Sequence, residues 1–320
     1  MAVYTQVSAD ALAEFLSRYD LGEAVTFKGI AEGVQNSNYF VETTHGRYFL
    51  TLYEHRVDLN ELPYFLSLMT HLADKGLPVP RPLTDRKGVA LQMLAGRPAC
   101  LIEFLRGVSV NEPSPAECRA AGAALGAMHA APADFRGHRI NDLALPGWHE
   151  LADACAARAD ELPEGLAKQI ADELAFLDAH WPKGLATSAI HADLFPDNLM
   201  FTAGKVSALI DFYFAATDIR AYDLAVMHTA WCFSSDGATY FPERAAALVA
   251  GYRSAHDLTN AELAALPVLC RGAALRFLLT RAFDWINTPA GALVTRKDPL
   301  AFARRLDWYR SATLDTLTGA

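Results

Sequence analysis

Three polar side chains at fixed spacing carry the strongest chemical signal in this chain of 320 residues. Asp193 follows an apolar run, Asn198 comes five positions later, and Asp211 lies thirteen positions beyond Asn198 in a second apolar run. Phosphoryl transfer from ATP needs a carboxylate at the acceptor hydroxyl, and an amide oxygen plus a carboxylate for Mg²⁺. The segment supplies all three groups beside predicted strands, so it predicts phosphotransfer chemistry.

Protein kinases use H-R-D-x-x-x-x-N and D-F-G for the same roles. Here Ala192 stands in place of the arginine, and Tyr213 stands in place of the glycine. Alone, an Asp-x-x-x-x-Asn spacing is usually a turn, and His191 with Asp193 could be half of a metal-hydrolase site. The joint pattern favours a phosphotransferase core. We expect His191 to order the loop through hydrogen bonds rather than to contact substrate.

The composition bounds the class of protein. Hydrophobic residues make up 52% of the chain, enough for a large core, and the formal net charge is -9 with a pI near 5.6. This acidic balance argues against nucleic acid as the main partner. We find no signal-peptide pattern and no apolar run of about 18 residues that would predict a membrane span. The sequence contains no signal for an oligomeric state.

The cysteines indicate the compartment. Their number is odd, none forms Cys-x-x-Cys, and most lie in apolar runs. We therefore predict reduced core residues of a cytoplasmic protein. The five cysteines are Cys100, Cys118, Cys155, Cys232 and Cys270.

Period-two patterning dominates the first part of the chain. The predicted strands cover residues 25–30, 38–43, 47–53, 88–94 and 97–104. Two helices accompany them, at 8–19 with Ser8 as N-cap and at 60–75 with Asn60 as N-cap. Pro63 falls in the first turn of the second helix, where it is tolerated. The region is predicted to be a sheet with one crossing helix.

The loop at residues 31–38 lies where a kinase folds a hairpin over the nucleotide phosphates. It matches neither G-x-G-x-x-G nor the Walker A pattern, so an ordinary polar hairpin loop is the alternative. With the downstream motif, the phosphate role is the better interpretation. The residues that can turn the chain or donate to oxygens are Gly33, Asn36, Ser37 and Asn38.

The exit of the last predicted strand lies where a kinase has its hinge, whose backbone pairs with adenine. Glu103 and Leu105 are the candidate contacts there. This prediction depends on position alone, and a plain strand exit is the alternative.

Helical patterning fills the rest of the chain. The predicted helices cover residues 114–131, 148–160, 165–180, 222–233, 242–256, 260–287 and 299–317. We therefore predict an α+β, protein-kinase-like bilobal fold. A small antiparallel-sheet lobe, residues 1–104, would bind the nucleotide. A larger, mainly helical lobe, residues 105–320, would carry catalysis and bind the acceptor.

The chain resembles the aminoglycoside-phosphotransferase and choline-kinase-like superfamily, and within it the homoserine kinases of the kinase-like type. The stretches that carry the resemblance are residues 29–39, 50–54, 61–65, 190–198, 210–214, 230–233 and 271–285. The resemblance implies ATP and Mg²⁺ as cofactors and homoserine as the small-molecule partner. It implies that Asp193 takes or orients the hydroxyl proton and that Asn198 and Asp211 bind Mg²⁺. It also implies that Asp223 braces the catalytic loop, for which a helix N-cap is the alternative.

One position departs from kinases at large. Most kinases hold the phosphates with a lysine on the third strand, where this chain has Thr51. Either another cation, Lys28 or Arg56, reaches the phosphates, or Mg²⁺ and backbone donors suffice. A pseudokinase that only binds nucleotide is a further alternative, and Thr51 is the feature that favours it.

The acceptor side requires a cation for a substrate carboxylate. The helix predicted at residues 260–287 carries these charges in apolar surroundings: Arg271, Arg276, Arg281 and Asp284. We expect at least one arginine to contact the substrate. The alternative is a structural role, for instance a salt bridge between Arg281 and Asp284. Tyr213 and Trp231 could wall the pocket, although core packing is the commoner role of such rings.

Other acceptors remain alternatives at this point. A choline kinase would favour an aromatic cage, against which the arginines argue. An aminoglycoside kinase would prefer an acidic pocket, which the net charge allows, and a thiosugar kinase would share the same fold. A metal-dependent hydrolase is disfavoured because the sequence has no second cluster of His or Cys ligands.

Overall fold

The computed structural model describes residues 5–30, 36–54, 58–158, 161–288 and 296–319, apart from the side chains at 132 and 133. Two of the predicted site positions, Gly33 and the alternative cation Arg56, lie outside the described residues. Contacts divide the chain into two units, Met1–Arg106 and Gly107–Ala320.

The first unit is built on one antiparallel sheet. Its strands are β1 (Ala24–Gly29), β2 (Ser37–Thr43), β3 (Arg47–Leu52), β4 (Leu91–Leu94) and β5 (Arg97–Glu103), in the order β1-β2-β3-β5-β4. The helices of this unit are α1 (Ala9–Leu16) and α2 (Leu62–Asp74). All five strands predicted from period-two patterning are therefore confirmed, with β4 shorter than predicted.

Alternation along β3 sends its side chains to two faces of the sheet. Leu50 and Leu52 enter a buried core with Leu12 of α1. Thr51 lies between them and takes the other face, where it pairs in register with Asn38 of β2. The sheet therefore fixes the polar pair by the same pattern that builds the core.

The two predicted helix caps have different outcomes. Ser8 caps α1, since its side chain accepts a hydrogen bond from the N–H of Ala11 at 3.2 Å. Asn60 does not cap α2, and that prediction was wrong. The helix begins at Leu62 with Glu61 in the N-cap position, and Asn60 instead donates to Asp58 Oδ1 at 2.9 Å.

The second unit is mainly helical. Its helices are α3 (Pro115–Ala130), α4 (Leu145–Ala156), α5 (Leu166–His180), α6 (Arg220–Trp231), α7 (Pro242–Ala255), α8 (Asn260–Asn287), α9 (Leu300–Tyr309) and α10 (Leu314–Thr318). Its strands are β6 (Thr187–Ile190), β7 (Leu199–Thr202), β8 (Lys205–Leu209) and β9 (Ala216–Ile219), which form the antiparallel pairs β6–β9 and β7–β8.

The prediction of one continuous helix at residues 299–317 was wrong, because the structure has two helices there. Thr313 adopts an extended conformation with φ -104° and ψ 167°, and it caps α10 in a reciprocal box with Thr316. An extended N-cap cannot belong to a continuous helix, so the chain breaks between α9 and α10.

Helices α3 and α7 approach closely through glycines. A Cβ at Gly122 would lie 2.0 Å from a carbonyl oxygen of α7, and one at Gly251 would lie 2.0 Å from a carbonyl oxygen of α3. Only glycine allows this approach. The close packing brings Tyr252 of α7 to His129 of α3, at a hydrogen-bond distance of 2.9 Å.

Helix α8 is long and apolar enough to cross a membrane by length and composition, which the sequence did not predict. However, 61% of its apolar stretch is buried inside the protein, as in the core helix of a soluble protein. The cysteines agree with a packed interior, because all five are free and buried, as predicted.

Candidate active site

The segment that carries Asp193 forms a loop at the end of β6. The loop leads into a short 3₁₀ turn, Pro196–Asn198, and then into β7. Within it Ala192 has a φ of 63°, in the left-handed region that non-glycine residues rarely adopt. Asp193 therefore follows a sharp turn at the rigid end of a strand.

The buried carboxylate of Asp223 holds this loop by its backbone. It accepts hydrogen bonds from the N–H of His191 at 2.7 Å and from the N–H of Ala192 at 2.8 Å. His129 Nε2 donates to it at 3.2 Å, and His129 Nδ1 accepts from the Tyr252 hydroxyl at 2.9 Å. Burial alone would raise the pKa of Asp223, but these donors hold it below its ordinary value. Asp223 lies inside α6, so the helix N-cap alternative is wrong.

His191 joins the two motifs. Its ring is fully buried, and burial lowers its pKa, so the ring is neutral. Nε2 donates to the carbonyl of Ile210 at 2.9 Å, and Nδ1 accepts from the N–H of Asp193 at 3.3 Å. The N–H of Ile210 in turn donates to the carbonyl of Asn198 at 3.0 Å. The residue before Asp211 is therefore tied to both ends of the Asp193 loop.

Asp193 and Asn198 meet directly. The amide nitrogen of Asn198 donates to the backbone carbonyl of Asp193 at 2.8 Å and to its Oδ2 at 3.2 Å. Because that nitrogen is engaged, the amide oxygen is the atom that Asn198 can offer to a cation. The Asp193 side chain keeps 20% exposure, which leaves it reachable for a small molecule.

The apolar run at residues 208–212 predicts a strand that includes Asp211, and this prediction was wrong. Strand β8 ends at Leu209, and Asp211 has φ 65° and ψ 61° at the start of a 3₁₀ turn, Phe212–Phe214. This left-handed conformation ends the strand, and the residue as a whole is exposed. Protein atoms that keep water from its carboxyl group raise the pKa of Asp211 to about 6, the charge of Asp197 adds to the rise, and a hydrogen bond from the N–H of Tyr213 opposes it.

The donor set fits a lightly held divalent cation. Among the described residues, there is no group of three or more His, Cys, Asp or Glu that could hold a metal ion. Asn198 and Asp211 would supply one amide oxygen and one carboxylate oxygen. Mg²⁺ typically takes one or two such protein ligands and completes its shell with water and phosphate.

Arg276 of α8 lies against the Asp193 loop and is only 1% exposed. Its Nη1 donates to the carbonyl of Ala192, and its Nη2 lies 4.0 Å from Asp193 Oδ1. The guanidinium also lies over the ring of Phe277, 4.4 Å from the centroid. This placement argues against the predicted contact with a substrate carboxylate.

The other arginines of α8 differ from it. Arg271 forms a two-pronged ion pair with Glu173, at 2.5 and 2.9 Å, so its partner is structural. Arg281 is half-buried and donates to the carbonyl of Asp298 at 3.3 Å. Asp284 is exposed to solvent. Of the described arginines on this helix, Arg281 is the one best placed to meet a ligand.

The two aromatic residues predicted to line the pocket also differ in their surroundings. Trp231 is fully buried, and its Nε1 donates to the carbonyl of Leu194 at 2.9 Å. A ring in this position supports the loop and argues against substrate contact. Tyr213 is half-buried in the turn after Asp211.

The polar residues at the start of β2 form hydrogen bonds with other residues of the first unit. Thr51 Oγ1 donates to Asn38 Oδ1 at 2.9 Å, and Ser37 Oγ donates to Glu54 Oε1 at 2.7 Å. Asn36 Oδ1 accepts from the N–H of Glu54 at 3.4 Å. Ser37 is fully buried, which argues against its predicted role as a phosphate donor.

Two cations of this unit have distinct surroundings. Arg97 Nε pairs with Glu54 Oε2 at 3.1 Å, and Arg97 is largely buried. Lys28 lies on β1, opposite Phe40 in the sheet register, and is exposed. Register places Lys28 on the same face of the sheet as Thr51.

The predicted hinge lies at the end of β5. The N–H of Glu103 donates to the carbonyl of Arg81 at 2.9 Å, and its side chain accepts from the N–H of Arg81 at 3.1 Å. Leu105 follows in the connecting segment and is half-buried. The backbone carbonyl of Glu103 and the N–H of Leu105 are the groups at this position that could hydrogen-bond to adenine.

A sequence profile of the phosphotransferase enzyme family matches residues 26–261, most of the chain. The chain belongs to the phosphotransferase enzyme family.

Curated relatives of this phosphotransferase match it almost end to end. Homoserine kinase of Methylobacterium radiotolerans is 55% identical and covers 98% of this chain and 97% of its own length. Homoserine kinase of Granulibacter bethesdensis is 53% identical, with 98% of both chains covered. The resemblance predicted from the sequence is confirmed.

Solved structures agree on the fold. An amicoumacin kinase superposes with a TM-score of 0.70 at 17% identity, covering 95% of this chain and 94% of its own. Choline kinase from Cryptosporidium parvum superposes with a TM-score of 0.68 at 16% identity, with the same coverage. Such low identities show the fold alone, and they confirm the predicted protein-kinase-like α+β class.

The sequence did not predict several residues that support candidate site residues within one unit or the other. His129 and Tyr252 support Asp223, and the only sequence signal was a histidine in the last turn of an apolar helix. Glu54 with Arg97 was missed as well, although a carboxylate directly after the apolar run of β3 signals a buried partner.

Proposed function

We propose that this phosphotransferase is an ATP-dependent homoserine kinase, which phosphorylates the side-chain hydroxyl of L-homoserine to O-phospho-L-homoserine in threonine biosynthesis. The observation that carries the proposal is identity of 50 to 55% over nearly the whole chain to relatives named homoserine kinase. The arrangement of Asp193, Asn198 and Asp211 supports it, because these are the groups that phosphoryl transfer requires.

Asp193 is the residue we assign to the acceptor hydroxyl. Its carboxylate is held on a loop fixed by Asp223 and His191, and it remains partly exposed. It would orient the hydroxyl for in-line attack and take its proton as the bond to phosphorus forms. Its backbone restraints mean that little reorganisation is needed when the acceptor arrives.

Asn198 and Asp211 are the residues we assign to Mg²⁺. The carboxylates of Asp211 and Asp197 lie near enough to repel each other, and a divalent cation would relieve that repulsion. When bound, Mg²⁺ would offset charge on the transferred phosphoryl group. Asn198 would then serve two partners at once, the cation through its oxygen and Asp193 through its nitrogen.

The first unit is proposed to hold the nucleotide. The fold supports this, and the structure of an amicoumacin kinase of the same fold in complex with AMP-PNP supports nucleotide binding by the fold in general. Lys28 is the exposed cation on the face of the sheet that carries Thr51, so we favour it over Thr51 for phosphate contact. Glu103 and Leu105 are proposed to pair with adenine through their backbone.

The acceptor carboxylate is proposed to bind Arg281, with Lys297 as a second cation. The ring of Phe302 lies 4.4 Å from the Arg281 guanidinium and 6.3 Å from the ring of Phe195, two residues after Asp193. Burial raises the pKa of Asp193 to about 7, and the positive charge of the exposed Lys297 is among those that oppose this rise. These neighbours support both cations as partners for the carboxylate of a small amino acid at the catalytic loop.

Replacing Arg281 tests this assignment. We expect Arg281→Gln to raise the KM for homoserine about 10- to 100-fold, because a charge-assisted hydrogen bond to the carboxylate is lost. The KM for ATP should stay within about twofold, since no interaction with the nucleotide is removed. Arg271→Gln on the same helix is the control, because its guanidinium pairs with Glu173. Equal effects of Arg281→Gln on both substrates would contradict the assignment.

The acceptor itself is tested by an ADP-release assay with homoserine, choline and water. We expect turnover with homoserine and a rate with choline at least about 100-fold lower, because choline has no carboxylate for Arg281. ADP formed equally without an acceptor would indicate a hydrolase. Faster turnover of choline would move the proposal to another small-molecule kinase of this fold.

We also propose that the enzyme works in the cytoplasm on small molecules. The five free, buried cysteines support this, because such thiols are typical of reducing compartments.

A further inference from the structure

The carbonyl and the N–H of Ala192 are held by buried charges of opposite sign. Asp223 Oδ1 accepts from the N–H of Ala192 at 2.8 Å, and Arg276 Nη1 donates to its carbonyl. Asp223 is fully buried and Arg276 is 1% exposed. Charge-assisted hydrogen bonds in such surroundings are strong and directional.

The residue between these charges is the one with unusual backbone. Ala192 has a φ of 63°, a conformation that its Cβ disfavours. The conformation persists only if its surroundings hold both flanking peptide groups. Its carbonyl belongs to the peptide group that leads into Asp193, so the orientation of that group sets the direction of the Asp193 side chain.

Arg276 is built to stay in this place. Its guanidinium lies over the rings of Phe277 and Phe214, at 4.4 and 5.6 Å from their centroids. Its Nη2 lies 4.0 Å from Asp193 Oδ1, so the same side chain restrains the carboxylate as well as the peptide before it. With 1% exposure, it cannot also reach a ligand in solution.

We propose that Arg276 is a positioning residue, which together with Asp223 locks Ala192 in its left-handed conformation and thereby aims the carboxylate of Asp193 at the acceptor hydroxyl. This inference rests on the proposed phosphotransfer role of Asp193. It separates the function of Arg276 from that proposed for Arg281, which is binding of the acceptor carboxylate.

The test compares Arg276→Met with Arg276→Lys by steady-state kinetics. Met fills a similar volume without charge or donor, and we expect kcat to fall about 100-fold, because small misplacements of reacting groups cost that much. The KM values for ATP and acceptor should stay within about threefold. Lys retains a donor and a charge that can reach the Ala192 carbonyl. The kcat of Arg276→Lys should therefore be at least about tenfold higher than the kcat of Arg276→Met.

Arg271→Met is the matched control, because it removes a guanidinium from the same helix without touching the loop. It should lower thermal stability while kcat per folded molecule stays within about threefold of the unaltered protein. An Arg276→Met variant that keeps its kcat overturns the proposal. So does a selective rise in acceptor KM, which would mean substrate contact, or the absence of any recovery with Lys.

Circular dichroism shows whether Arg276→Met folds. If it does not fold, the kcat of Arg276→Lys is compared with that of the unaltered protein instead. Loss of kcat in the folded Lys variant to the level of Asp193→Asn would also overturn the proposal. All rates are measured with the acceptor that the unaltered protein turns over best. If the unaltered protein does not phosphorylate homoserine, the acceptor assignment is wrong, but the test of Arg276 can still be made with another acceptor.

Discussion

Asp193→Asn should lower kcat for homoserine phosphorylation by about a thousandfold, the scale of a lost general base. Asparagine keeps the shape of the side chain and its hydrogen bond with Asn198, but it cannot take a proton. The KM values should change little, and the melting temperature should not fall, because a partly buried charge is removed. Steady-state kinetics with an ADP-coupled readout checks the first point, and a thermal melt checks the second.

Asp197→Asn is the matched control for this variant. Asp197 lies on the same loop but is exposed, so its neutralisation should change kcat less than about tenfold. Similar losses in the two variants would mean that the total charge of the loop matters, and that Asp193 has no special role. An Asp193→Asn variant with more than about a tenth of the original kcat would contradict the assignment.

Asp223→Ala should give the largest loss of stability, about 3 to 5 kcal/mol in the free energy of unfolding, because it breaks a buried charged network. The loop amides of His191 and Ala192 and the ring of His129 would lose their shared acceptor at once. Urea unfolding measures the loss. Activity of the folded fraction should fall too, since the same bonds hold the loop before Asp193.

The exposed pair of His149 and Asp178 is the control for this network. Their atoms lie 2.8 Å apart, yet both side chains are more than 40% exposed, at 44% and 49%. Asp178→Ala should therefore cost less than about 1 kcal/mol. If Asp223→Ala were equally mild, Asp223 would not be what holds the loop.

The elements that the sequence predicts best are those whose signals are both periodic and capped. Helix α8 was predicted at residues 260–287 and is found there, because Thr259 and Glu262 form a reciprocal cap at its start. The break between α9 and α10 was missed, because apolar spacing continues across the extended Thr313. Periodicity reports which face is buried, and it carries little information on a single residue that leaves the helix.

The candidate site was predictable in its residues and only partly in its geometry. Asp193, Asn198 and the loop-bracing Asp223 could be found from spacing and resemblance. The turn at Asp211 could not, since an apolar run does not reveal the sign of φ. Nor could the partner of Arg276, because its hydrogen bond reaches back 84 positions along the chain to Ala192.

The most direct test of the account follows the transferred phosphoryl group. The unaltered protein is incubated with homoserine, ATP and Mg²⁺, and the products are quantified by phosphorus NMR. We predict one phosphate monoester on the homoserine hydroxyl for each ADP formed, and with Asp193→Asn a rate of monoester formation about a thousandfold lower. Inorganic phosphate in place of the monoester, or monoester formed undiminished by Asp193→Asn, would contradict the account.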